Sequence, residues 1–358
     1  ETWPGQLEAV VARYVEMVAV LREREQVCIT VLDAAVEEAA RRRLSQAGIE
    51  TGLEFHQFPT NDAWIRDHGP VFVKKANQLA VVDFRFDSWG RKYPPWDLDD
   101  RIPRAIAAAR QIRRFGMEVV LEGGSVDGNG CGSVLTTESC LLNPNRGPVA
   151  SPDPLNPIRG PVASPDPLNP NRGPVASPDP LNPNRGPVAS PDRWRVSDPH
   201  PGPSRTREAL ELILHDTLGA TNVLWLAGGI EGDDTDGHVD DFCRFVDPTT
   251  VVAAEEEDPQ DPNHAPLAEN LRRLRGMRDQ DGKPLAVATL PMPPPLRIEG
   301  LRCPASYANF YLANGVALVP VFEAASDARA VAILRELLPG REVVPIPARE
   351  LVVGLGAV

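Results

Sequence analysis

Apolar positions recur at helical spacing over 7–24, where Val10, Val11, Tyr14, Val18 and Leu21 fall on one face. A short apolar run over 27–32 predicts a strand, and 34–47 predicts a helix stopped by Gly48. The alternation continues along the chain. Strands are expected over 71–73, 80–84, 223–227, 315–320 and 343–346. Helices are expected over 102–115 closed by Gly116, 205–218 closed by Gly219, 267–275 and 328–338. Helix and strand in turn predict an α/β fold, and the pattern alone says no more than that.

The alternation breaks once, at a tandem repeat. The stretch Asn143-Pro144-Asn145-Arg146-Gly147-Pro148-Val149-Ala150-Ser151-Pro152-Asp153-Pro154-Leu155 recurs from Asn156, with Ile158 in place of an Asn, from Asn169, and from Asn182, where the copy ends Asp192-Arg193, a period of 13 residues. Proline fixes φ and removes an amide donor, so neither a helix nor a central strand runs through it. The expectation over 145–200 is an extended, disordered surface insertion, which costs little in loop-closure entropy. Solenoid repeats are longer and carry apolar faces, and these copies do neither.

Chemistry concentrates in Gly232-Asp233-Asp234-Thr235-Asp236-Gly237-His238-Val239-Asp240-Asp241, five carboxylates around one histidine. Like charges this close are costly to pack unless a cation or a reaction needs them. An EF-hand is excluded: with Gly237 at loop position 6, Gly232 falls at position 1 and Cys243 at position 12, where acids are required. A zinc site needs three or four ligands at metal spacing, and His238 has no histidine partner nearby in sequence. A second cluster is Thr60-Asn61-Asp62-Ala63-Trp64-Ile65-Arg66-Asp67-His68-Gly69-Pro70. An aromatic face at Trp64 beside the Asp67 carboxylate suits a flat cation such as guanidinium. In a third segment, Leu121-Glu122-Gly123-Gly124-Ser125-Val126-Asp127-Gly128, the glycines permit close backbone approach to a ligand.

Together with Leu141-Leu142-Asn143-Pro144-Asn145-Arg146 and Ser306-Tyr307-Ala308-Asn309-Phe310-Tyr311-Leu312-Ala313-Asn314-Gly315, these motifs run in the order found in the agmatine deiminase family, which the chain resembles. Bacterial peptidylarginine deiminases share some of them. The resemblance implies one catalytic domain over 1–358 with the repeat as an insertion. It also implies five ββαβ-like units in a pseudo-fivefold α/β propeller (the pentein fold), although no fivefold sequence repeat is visible. It implies hydrolysis of agmatine to N-carbamoylputrescine and ammonia through a cysteine-bound amidino intermediate, with no cofactor. His238 is then the general acid and base. Asp67 and Asp240 hold the guanidinium nitrogens, and Trp64 packs on its plane. Asp234 or Asp236 binds a substrate nitrogen or orients His238, and Glu122 is a further pocket residue. Free or peptidyl arginine is the alternative substrate, and non-catalytic guanidinium binding is the alternative class.

The family's nucleophilic cysteine lies near the C-terminus in a Gly-rich turn. Here Arg349-Glu350-Leu351-Val352-Val353-Gly354-Leu355-Gly356-Ala357-Val358 approaches such a turn, so the nucleophile is expected just beyond Val358, and the opening Glu1-Thr2-Trp3 also looks clipped. Cys28 and Cys243 sit in apolar runs and are expected in the core; Cys131, Cys140 and Cys303 fall outside the expected motif. The cysteine pattern suits a reducing cytoplasm. A formal charge of -13, from 37 basic against 50 acidic residues, disfavours nucleic acid and favours a small cationic partner. No apolar run is long enough for a membrane span. A homo-oligomer is compatible with all of this.

Overall fold

The computed structural model describes residues 2–147, 205–298 and 300–357. The repeat copies beyond Gly147 lie outside the described residues.

One supersecondary unit recurs. Strand β1 (Val27–Thr30) pairs in parallel with β2 (Leu53–His56) across the helix Ala34–Gln46. In the next unit β3 (Val71–Lys75) is antiparallel to β4 (Gln78–Arg85), which crosses over through the helix Ile102–Ala109 to the parallel β5 (Arg113–Val120). The same rule holds for β6 (Val126–Gly128), β7 (Ser133–Thr137) and β8 (Asn222–Leu226) with the helix Arg207–Leu218. It holds again for β9 (Cys243–Phe245), β10 (Thr250–Glu255) and β11 (Ala286–Pro291) with the helix His264–Gly276. After a small hairpin of β12 (Arg297–Ile298) and β13 (Leu301–Arg302), the unit returns as β14 (Tyr311–Ala313), β15 (Val316–Val321) and β16 (Glu342–Pro347) with the helix Asp327–Leu337. Four complete antiparallel-then-parallel sheets and one parallel pair thus repeat the ββαβ unit that the family resemblance implies.

In three of the four complete sheets the middle strand is the most buried, because it is paired on both sides; in the other, the edge strand β9 is buried throughout. All five residues of β7 are buried, and β15 is buried from Val316 to Pro320. Helix ends follow local chemistry. Asp33 accepts the Val36 amide and Thr206 that of Ala209, while Gly219 closes its helix at φ 71, as its position predicted. Among the described residues no helix is long and apolar enough to cross a membrane.

Two sequence expectations fail. The helix expected over 102–115 stops at Ala109; Gln111 takes φ 54, and Arg113 onward is strand β5. Phe115, Met117 and Val119 alternate at the strand period, and Gly116 lies opposite Asp83 within the sheet rather than ending a helix. Cys28 is in a strand as expected but is exposed, because its sheet has only two strands and it pairs beside Glu54 at the surface. Cys243 is buried as expected.

The unit's logic positions the site. A short segment just before the first strand of each three-stranded sheet carries the chemistry-bearing residues: Ile65–His68 before β3, Gly123–Ser125 before β6, Val239–Asp241 before β9, and Asn309 before β14.

Candidate active site

Three of these segments reach one cavity of about 660 Å³ whose wall includes Trp64, Asp67, Trp89, Asp234, His238 and Asp240, and Gly123–Ser125 packs against them. Asp67 sits in the single helical turn Ile65–His68. Its Oδ2 accepts the Trp89 indole N–H at 2.9 Å, and its Oδ1 accepts the Gly124 amide at 2.9 Å. The same Oδ1 lies 3.6 Å from Nδ1 of His238. Burial pushes the Asp67 carboxyl up, with the neighbouring Asp240 adding to it against the pull of His238. For His238 burial opposes the charged form. The Asp67 carboxylate, the Cys140 thiol and Glu122 outweigh it and hold the imidazole well above its ordinary value.

Gly124 explains how three such groups meet. A Cβ there would lie 2.6 Å from His238 Nδ1, 2.7 Å from Asp67 Oδ1 and 3.0 Å from Asp240 Oδ1. At the preceding Gly123 a Cβ would be 1.9 Å from the Arg66 carbonyl oxygen. The Gly-Gly pair is therefore a requirement of packing at the point where the two loops touch.

Asp240 is buried on the short turn Val239–Asp241, 3.6 Å from Arg66 Nε. Asp241 is buried behind it and accepts the Asn309 side-chain amide at 3.1 Å; burial, with Asp233 and Asp240 nearby, holds its carboxyl well above the usual range. Asn309 Oδ1 in turn accepts the Ala357 amide at 3.0 Å. The segment Val353 to Gly356 is thereby laid along the cavity wall, where a Cβ on Gly356 would come within 2.5 Å of the Trp64 ring. Trp3 backs Trp64 with ring centroids 5.4 Å apart.

The structure separates Asp234 from Asp236, which the sequence left open. Asp234 lines the cavity and is hydrogen-bonded by the Tyr93 hydroxyl. Asp236 is occupied by Asn145 at 2.9 Å, Lys92 at 3.0 Å and the buried Arg146, and these donors hold its carboxyl low against the effect of burial. Glu122 is fully buried and absent from the cavity wall. Its Oε1 accepts Arg146 Nε at 2.9 Å. It stands behind His238: ligand-type atoms of Glu122, Cys140 and His238 lie within 4.8 Å of one another. Sequence reasoning missed Trp89 and Tyr93, which no local signal marks. It quoted Arg66 and Asn309 within motifs without giving them a role at the site.

A grouping of carboxylates, an imidazole and an indole around one apolar-backed cavity suits a planar cation and proton transfer to its nitrogens. Comparison with known proteins shows the family. The model of the Porphyromonas-type peptidyl-arginine deiminase family matches residues 1–156 and 195–358. An agmatine deiminase of Pseudomonas putida is 32% identical, over 96% of this chain and 84% of that protein. Among solved structures, an agmatine deiminase of Enterococcus faecalis superposes with a TM-score of 0.78 at 25% identity, covering 100% of this chain and 88% of that one. A C. jejuni agmatine deiminase with substrate bound gives 0.75 at 26% identity, over 98% and 86%. On the extent of the family match and the ordered motifs that build its cavity, this chain belongs to the Porphyromonas-type peptidyl-arginine deiminase family.

Proposed function

We propose that this protein hydrolyses the guanidinium group of agmatine to N-carbamoylputrescine and ammonia. The observation that carries the reading is the packing of His238, Asp67 and Asp240 around Gly124, on the wall that also bears Trp64. Asp67 and Asp240 accept hydrogen bonds from the guanidinium nitrogens and keep the substrate charged. Trp64 covers its plane. A cysteine thiolate adds to the guanidinium carbon. His238 delivers a proton to the departing nitrogen, and ammonia leaves an amidino thioester. His238 then takes a proton from water, the hydroxide adds to the same carbon, and collapse releases the ureido product and the thiolate.

Agmatine is favoured over arginine by the charge of the cavity wall. It carries Asp62, Asp99 and Asp234 besides the inner aspartates. Among the described residues its one arginine or lysine is Arg66, which stands beside Asp240. An amine at the far end of the substrate meets carboxylates there, and an α-carboxylate would meet like charge. Homologues named agmatine deiminase support the same choice.

Calorimetric titration with agmatine and with arginine tests the reading, because it reads binding directly. Saturable heat selective for agmatine is the expected result. Equal or tighter binding of arginine would move the assignment to arginine or peptidylarginine, and no binding of either would end it.

A further inference from the structure

At His238 three side chains from distant segments meet. Glu122 comes from the loop before β6, Cys140 from the helical turn Glu138–Leu141, and His238 from the loop before β9. All three are buried, and each offers one ligand atom within 4.8 Å of the other two. Glu122 Oε2 is buried and has no hydrogen-bond partner among the described residues, and it faces the contact between the Cys140 thiol and the His238 ring. An unmet buried carboxylate oxygen is costly, and one that converges on a thiol and an imidazole describes a site that a cation would satisfy.

We propose that Glu122, Cys140 and His238 form a binding site for a thiophilic divalent cation such as zinc, and that the ion switches the active site off. The donor set is carboxylate, thiolate and imidazole, a combination that selects zinc or cobalt over magnesium or calcium. Tetrahedral zinc sets its ligand atoms roughly 3.5 Å apart, inside the 4.8 Å that bounds the separations of this trio. Cys140 and the protonated His238 each give up a proton to solvent on binding. The ion's two positive charges are then matched by one thiolate and one carboxylate. Arg146 stays on Glu122 Oε1, and Oε2 faces the ion. The entry route is the cavity itself, whose wall includes His238. An imidazole whose nitrogen is bound to metal cannot carry protons to the leaving group, so occupancy of this site opposes catalysis. That consequence rests on the role proposed for His238, but the site itself does not.

A second trio, Cys28, Glu54 and His56, lies at the surface of the β1–β2 pair. There the Arg110 guanidinium already fills the cation position, 2.9 Å from Cys28 Sγ and 2.7 Å from Glu54 Oε2. It serves as the internal control.

The test is titration of the 358-residue chain with cobalt(II), followed by the near-ultraviolet charge-transfer absorption that a cobalt–thiolate bond produces, and by displacement with zinc. One equivalent of cobalt is expected to give the band in the parent and in C28S, and C140S is expected to lose it. E122Q should keep the band with zinc affinity lowered by at least the roughly 10–100-fold that loss of a metal's outer partner costs, which holds the test open should C140S fold poorly. No band in the parent, a band lost in C28S, or an E122Q with parental zinc affinity each overturns the site. In the active enzyme zinc should block ureido formation reversibly, and C140S should resist it. If zinc blocks both equally, the proposed switch is wrong. A wrong substrate assignment would silence this last assay and leave the cobalt result standing.

Discussion

Oδ1 of Asp67 lies 3.6 Å from Nδ1 of His238, and the same oxygen accepts the Gly124 amide. One carboxylate thus ties a turn before β3, a loop before β6 and a loop before β9 into a single electrostatic unit.

Asp67→Asn keeps the shape and removes the charge that holds His238 protonated. The native imidazole value then falls, so the alkaline limb of kcat/KM, where the general acid loses its proton, moves to lower pH. Activity should fall by roughly 10²–10⁴-fold. An unmoved alkaline limb in the pH–rate profile would show that Asp67 does not set the protonation of His238.

Gly124→Ala places a methyl group where His238, Asp67 and Asp240 meet, with contacts of 2.6–3.0 Å. Far-ultraviolet circular dichroism should keep its native shape while agmatine binding and turnover are lost, because the clash is confined to the loops. Calorimetry decides: agmatine binding within about twofold of the parent would mean that the three groups do not need this close approach.

Trp64→Ala removes the aromatic face next to the carboxylates. A cation over indole contributes about 1–2 kcal/mol, so the dissociation constant for agmatine should rise roughly 5–30-fold, and Trp64→Phe should recover much of it. Equal affinities of the two variants would assign Trp64 to packing against Trp3 and Gly356 alone.

His68, buried three positions before β3 and edge-on to Phe86, gives an acid-stability prediction. Burial pushes its imidazole down to about 4. The unfolded chain takes up the proton first, near about pH 6.5, so this contribution to stability is present above that pH and is lost as pH falls toward 4. The loss amounts to about 3 kcal/mol on complete titration. His68→Leu removes the titration, so the stability difference between parent and variant should change by that order between pH 7 and pH 4. Chemical unfolding curves at the two pH values measure it, and a pH-independent difference would refute the assignment to His68.

Local chemistry made much of this protein legible in one dimension. Helix stops at Gly219 and caps at Asp33 and Thr206 act within one turn, and the neighbours Trp64 and Asp67 share a turn because three residues of backbone separate them. The acidic loop around His238 marks itself by the cost of crowding like charges. The strand β5 was misread because a good helix runs up to Ala109, and only pairing with β4 makes the chain extended from Arg113 onward.

What the sequence determined, then, is the α/β alternation, the family motifs and the residue types of the site. Tertiary structure alone decided which of them meet. Asp234 faces the cavity and Asp236 is taken by Asn145, Lys92 and Arg146, although the two are two residues apart and chemically identical. Trp89 reaches Asp67, and Glu122 and Cys140 close on the back of His238, through contacts between segments far apart in the chain. Spacing along a sequence carries information about neighbours on one turn or one strand. The burial that shifts a proton, leaves a carboxylate oxygen unpartnered or exposes Cys28 depends on what packs from elsewhere, and that is fixed only when the sheets assemble.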